Sequence, residues 1–219
     1  MRRHSRLLGM LPFNDVLTSE AELRAVVPGT PSERAQLKDR AEFDAESRRF
    51  IALSPFLLIS TSAADGTCDV SPKGDAPGFV HVLDDRRLVI PERNGNKRFD
   101  SLRNLLTNPH VGVLFVVPGS DYTLRVNGRA WITRDPELLH PLTAEGVTPR
   151  IAVGVEVQQA YFHCVKSFRR SKLWMTESWP AADALPSYAC AVFNQIKPAN
   201  ATVEAWEAEL KESDAKLYV

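Results

Sequence analysis

The sequence predicts a mainly β protein with helices (α+β), built on an antiparallel barrel or sandwich, and three observations carry that expectation. Between residues 56 and 163, six or seven short apolar stretches alternate with turn residues. Few helical patterns lie between them, so the crossover helices that a doubly wound parallel sheet requires are missing. The most apolar stretch, VGVLFVVPG (111–119), has the composition of a central strand.

The first fifty residues read as helical. Ser19-x-x-Glu22 and Thr30-x-x-Glu33 both resemble capping boxes, the second with Pro31 at the first helical position. A third helix is expected over 40–53, with Phe43, Phe50, Ile51 and Leu53 as its apolar members. The period then changes. FLLISTSA (56–63) reads as a strand ending at the Asp65-Gly66 turn signal. CDVSPKG (68–74), FVHVLDD (79–85) and RLVIPE (87–92) continue as a meander. One helix is expected at about 98–107, with Leu102, Leu105 and Leu106 on one face. The apolar strand 111–119 follows, then a long or bent strand over 123–135 in which Asn127-Gly128 marks a bulge or turn. A helical insertion near 136–145 leads to the last strand, 151–163. Residues 176–219 hold three prolines and end in an amphipathic helix from about 202.

With 27 basic and 27 acidic side chains the formal net charge is zero, which argues against non-specific nucleic-acid binding. Any anion site must be local. Cys68, Cys164 and Cys190 are sparse and odd in number, which fits a reducing compartment and no disulfide framework. No Cys-x-x-Cys pair suggests zinc. The apolar run after Arg2, Arg3 and Arg6 is too short for a signal peptide, and no stretch is long enough to span a bilayer. A soluble, cytoplasmic protein is expected.

Four clusters could carry chemistry. In PERNGNKRFDSLRNLLTNP (91–109), a strand feeds a turn at Asn94-Gly95-Asn96, and Lys97 and Arg98 follow where a helix begins. Cations oppose the macrodipole there, unless an external anion is held between them, Asn96 and free backbone N–H groups. A phosphate is the natural guest; a basic turn in solvent is the alternative. Ser71-Pro72-Lys73 places a lysine beside a proline that marks an edge or a break, where it can reach over a ligand or lie free on the surface. Alternation puts Thr123, Arg125, Asn127 and Arg129 on one strand face, either solvated or completing a site on a partner subunit. Finally, Lys166, Arg169, Arg170 and Trp174 could contact an anionic or aromatic ligand, or form a basic turn packed on the tryptophan. His163 and Cys164 point to opposite strand faces, which excludes a Cys–His nucleophile pair. GxSxG, HExxH, Walker and GxGxxG motifs are absent.

Taken together, GNKRFDSLRNLLTNPHVGVLF, DYTLRVNGRA and YFHCVKSFRRSKLW resemble the pyridoxamine 5′-phosphate oxidase-like family, the FMN-binding split β-barrels, over about residues 40–175. The last two segments resemble a bacterial subgroup of probable FMN-dependent enzymes. The resemblance implies a six- to seven-stranded antiparallel split barrel over 55–175, with a helical arm (1–54) and a C-terminal extension (176–219) packing on the core or the partner. It implies a homodimer with FMN at the subunit interface. By position, Asn96, Lys97 and Arg98 would hold the FMN phosphate. Ser71 and Lys73 would run along the ribityl chain and ring, with Ile90 and Pro91 offering backbone contacts. Arg125 and Asn127 would come from the neighbouring subunit, and Lys166, Arg170 and Trp174 would close the pocket. The implied activity is FMN-dependent oxidoreduction of a small molecule by hydride transfer at flavin N5, with Lys73 or Lys166 as the cation near the N1/C2 carbonyl end. A flavin carrier or sensor without turnover, or an F420- or haem-binding protein of the same fold, are the alternatives. The family's enzymes for pyridoxine phosphate carry an arginine–x–histidine element. Here Ser167-Phe168-Arg169-Arg170-Ser171-Lys172 has no histidine, which points away from that substrate.

Overall fold

The computed structural model describes residues 13–33, 37–199 and 201–218. Two compact units divide at residue 37, Met1–Leu37 and Lys38–Val219. The boundary expected after residue 54 therefore lies at 37/38, because Phe43 and Ile51 are buried in the core of the larger unit. In the smaller unit, α1 (Glu20–Val26) starts at Ser19, whose hydroxyl accepts the Glu22 N–H. The Glu22 carboxylate reaches back to the Thr18 N–H, completing the box one residue early. The helix expected from Thr30 runs into residues 34–36, outside the described residues.

In the larger unit, α2 (Ala45–Leu53) is shorter than the expected 40–53. Asp44 caps it by accepting the Ser47 N–H at 2.7 Å, and Arg40 instead pairs with Ala160 in an isolated β-bridge. Seven strands follow: β1 (Phe56–Ser62), β2 (Cys68–Gly74), β3 (His81–Val82), β4 (Arg87–Pro91), β5 (His110–Val116), β6 (Thr123–Thr133) and β7 (Ala152–His163). They form one antiparallel sheet ordered β2-β1-β5-β6-β7-β4-β3. The fold is thus the α+β split barrel, with β2 and β3 as its unjoined edges. Pro72, which has no N–H to give a second neighbour, sits on edge strand β2.

Alternation builds the core. Leu57 and Ile59 of β1, Val113 and Phe115 of β5, and Leu124 and Val126 of β6 are all buried. β7 keeps Val153, Val155 and Val157 inside, yet Ala160 is buried as well, which strict alternation forbids. The pairing explains it: Asn127 faces Gln159 and Gly128 faces Val157, so Gln158 is an extra residue that flips the parity. The Asn127-Gly128 signal marks this bulge, but the inserted residue is on the opposite strand. In β4, Leu88, Val89, Ile90 and Pro91 are all buried. Val89 packs with Leu139, Leu142 and Ala152 in a second apolar cluster, so the strand is covered on both faces. The covering insertion is α4 (Pro136–Leu139) with a 3₁₀ turn, His140–Leu142.

The remaining helices are α3 (Asp100–Thr107), which buries Leu102 and Leu105 over the sheet, α5 (Lys166–Ser171), α6 (Tyr188–Ile196) and α7 (Val203–Asp214). Among the described residues, no helix is long and apolar enough to cross a membrane.

Candidate functional site

A cavity of about 730 Å³ opens where edge strand β2, the turn from Glu92 to Phe99, the start of α3 and the approach to β7 (147–151) converge. Side chains of β2 alternate, and Asp69, Ser71 and Lys73 form its half-buried face while Cys68, Val70, Pro72 and Gly74 are exposed. Lys73 Nζ is held by both oxygens of Glu92, at 2.8 and 2.6 Å. Each of these side chains is only about 15% exposed, so the pair stands in the wall and not on the surface.

The turn after β4 holds its shape locally. Asn96 Oδ1 accepts the Arg98 N–H at 3.0 Å, and Arg98 Nε donates to Asp100 at 2.7 Å. Lys97 and Phe99 both lie in the left-handed region, each with φ of 59°. Two non-glycine residues there cost about 1 kcal/mol or more apiece, strain of the kind that collects at ligand clamps. Phe99 is also the N-cap of α3 and caps with no side chain, so the helix presents its first amides without a protein acceptor from that position. Ser101 bonds instead to Asp69, tying the helix start to β2.

Five cations (Lys73, Arg93, Lys97, Arg98 and Arg150) face three carboxylates (Asp69, Glu92 and Asp100) around this cavity. Among the described residues Lys97 has no ion-pair partner, and Arg93 Nη1 is buried with no hydrogen-bond partner at all. Arg93 Nε is satisfied by Asp75 at 2.7 Å. Burial alone would raise the Asp75 carboxyl, but bonds from the Tyr218 hydroxyl, the Ala76 amide and Arg93 outweigh it and hold it below its ordinary value. A surplus of cations, uncapped helix amides and an unmade buried donor together suit an anionic, oxygen-rich guest.

Of the expected residues, the structure brings Ser71, Lys73, Asn96, Lys97 and Arg98 together around the cavity. Ile90 and Pro91 do not line it: both are buried, Ile90 in the main core, and Glu92 is the first residue of that segment to reach the wall. Arg125 and Asn127 lie elsewhere, on the β6–β7 face. There Arg125 Nη1 bonds Tyr161 Oη at 2.9 Å and Asn127 Nδ2 bonds Gln159 at 2.7 Å. Asn127 borders a shallower recess with Ser60, Cys68 and His110. Lys166 and Arg170 are exposed on α5, while Trp174 stacks on Phe168 and donates to the Ser120 carbonyl at 2.7 Å. None of these three lines the cavity of its own chain. Sequence reasoning missed Glu92, Arg93, Arg150 and Tyr218. The first two adjoin the predicted turn and could have been included; no local signal marks Tyr218.

Among solved structures, the chain is similar to HupZ of Group A Streptococcus (17% identity, TM-score 0.45, covering 55% of this chain and 93% of that one). It is also similar to a candidate pyridoxamine 5′-phosphate oxidase of Lactobacillus delbrueckii (20%, TM-score 0.46, 57% and 98%). A third is an FMN-binding protein of Syntrophomonas wolfei (8%, TM-score 0.41, 53% and 81%). No curated protein matches the chain in sequence. The family model for pyridoxamine 5′-phosphate oxidase matches residues 43–164, a span that holds all seven strands whole. That span includes β2, the Glu92–Phe99 turn and the start of α3, so with more than half of its length matched the chain belongs to the pyridoxamine 5′-phosphate oxidase family.

Proposed function

We propose that this protein is an FMN-dependent oxidoreductase acting on a small molecule in the cytoplasm, as a homodimer. The observation that carries the reading is the basic turn at the mouth of α3: Lys97 without an ion pair among the described residues, Arg98 beside it, and helix amides with no capping side chain. These are the donors a phosphate monoester needs. FMN, when bound, supplies hydride exchange at its N5. The chain's own residues then have distinct tasks. Lys97, Arg98 and the turn would grip the phosphate. Ser71 and Lys73 would flank the ribityl chain and ring, with Glu92 fixing the lysine amine. Arg93 Nη1 would donate to a ligand oxygen. Arg125 and Asn127, which face away from their own cavity, would be contributed by the second copy, and Lys166, Arg170 and Trp174 would close the site in the assembled dimer.

Purified protein given FMN is expected to retain it through gel filtration and to show the flavin visible spectrum. Replacing Lys97 and Arg98 together by Ala should remove two charge-assisted contacts, each worth roughly 1.5–3 kcal/mol, and weaken FMN binding at least about 100-fold. Wild-type affinity in that double variant, measured by quenching of flavin fluorescence, would mean the phosphate lies elsewhere.

A further inference from the structure

The segment after α7 returns to the cavity. After α7, Tyr218 Oη donates to Asp75 Oδ1 at 2.6 Å, across 143 positions of sequence. The Arg93 guanidinium carbon lies 5.7 Å from the centroid of the same ring. Asp75 and Arg93 are bonded to each other, with side chains 2% and 16% exposed, and Tyr218 and Arg93 are both part of the cavity wall. The terminal segment thus touches the most deeply buried ion pair of this site, not a solvent-exposed face.

The contact is small and carries an opposing charge–solvation penalty. One hydroxyl–carboxylate bond and one cation–ring contact favour it. Against them, Arg93 Nη1 is left buried with its hydrogen bond unmade. Beside Tyr218, Leu217 is exposed, and Lys216, just past the end of α7, bonds Glu212. A contact held by two side-chain interactions and opposed by one unmet donor is suited to opening and closing.

We propose that residues 215–218 are a latch on this cavity. Tyr218 closes its Asp75–Arg93 side, swings away to let a ligand pass, and closes again behind it, while a ligand oxygen takes the Arg93 Nη1 donor. The latch governs how fast a ligand enters and leaves more than how tightly it is held. The proposal rests on the reading of this cavity as the ligand site, and its test has one arm that does not need the ligand.

The first arm is hydrogen exchange of the segment 207–218 in the full chain and in Tyr218→Phe, which keeps the ring over Arg93 and loses only the hydroxyl. Exchange at the last amides is expected to be at least about fivefold faster in the variant. The second arm is stopped-flow FMN binding by wild type, Tyr218→Phe and a chain ending at Ala215. Association and release should both accelerate, release by about tenfold or more in the shortened chain, with Tyr218→Phe between. Equal exchange in wild type and Tyr218→Phe would overturn the latch, as would FMN rates untouched by the truncation. Failure of every variant to take up FMN would count against the cofactor, and the exchange arm alone would then decide the latch.

Discussion

His163, at the end of β7, has two cations for neighbours. Burial first, then the charges of Arg125 and Lys38, hold its imidazole below the ordinary value of 6.5. With the folded value below the unfolded one, the unfolded chain binds more protons between the two. Stability is therefore complete above pH 6.5 and declines as the pH falls from there towards the folded value. An NMR titration should place the His163 midpoint below 6.5, and His163→Asn should flatten the fall in stability in that window; a midpoint at or above 6.5 would contradict the geometry. Lys73 shows the same coupling of charge and place from the other side. Its amine is already held by Glu92 in a wall of low exposure, so it meets any ligand as half of a pair and not as a free cation. Tyr161 is contacted by two cations, with Lys38 Nζ 4.7 Å and Arg125 5.5 Å from its ring centroid, and the Arg125 guanidinium also bonds its hydroxyl. That arrangement positions Arg125 on the β6–β7 face with no ion-pair partner among the described residues.

At the scale of elements, the β6–β7 pair depends on one glycine. A Cβ on Gly128 would stand 2.1 Å from the Glu156 carbonyl oxygen, backbone that cannot turn aside. The close approach exists because Gln158 is inserted opposite it, and that insertion is what allows both Val157 and Ala160 to face the core. Gly128→Ala must push the strands apart or undo the bulge, and is expected to destabilise the protein by roughly 3 kcal/mol in urea unfolding. Gly95 makes a useful contrast, since a Cβ there would meet nothing within 4 Å, and Gly95→Ala should be nearly silent for stability. The turn that contains it is shaped by Asn96 and by left-handed Lys97 and Phe99. In α3, the two buried leucines anchor the helix on β1 and β6, which fixes where its uncapped end points.

For the whole molecule, the distribution of the polar residues matters more than their number. The cavity collects the residues of β2 and of the turn, while Arg125 and Asn127 occupy a separate face, as the proposed dimer requires. A mixing experiment separates this from a solvated face. A Lys97→Ala/Arg98→Ala chain and an Arg125→Ala/Asn127→Ala chain should each bind FMN poorly alone. Once subunits exchange, half of the dimers are mixed and each has one site with neither lesion, so about a quarter of the sites should bind as wild type does. No recovery on mixing, with exchange verified by mass, would place Arg125 and Asn127 outside the site. The C-terminal segment adds a constraint that no local motif carries, because Tyr218 ties the last helix back to the cavity wall.

What the sequence determined by itself was what short range controls. The seven strands, the α3 helix and the basic turn before it follow from alternation, turn residues and apolar spacing, each decided within about ten neighbouring residues. Asn127-Gly128 announced a bulge because glycine alone tolerates the approach, but which strand carries the extra residue depends on pairing with β7. The cavity's true wall was a tertiary decision. Glu92 and Lys73 are 19 positions apart, Asp75 and Arg93 are 18, and Tyr218 is 143 from Asp75. No periodicity links such residues; folding the edge strand beside the turn does. The same folding turned Ile90 and Pro91 inward, gave α2 to the core and set Arg125 apart from Lys97. Local preference selects the elements, and only the burial of their apolar faces against one another decides which charges meet.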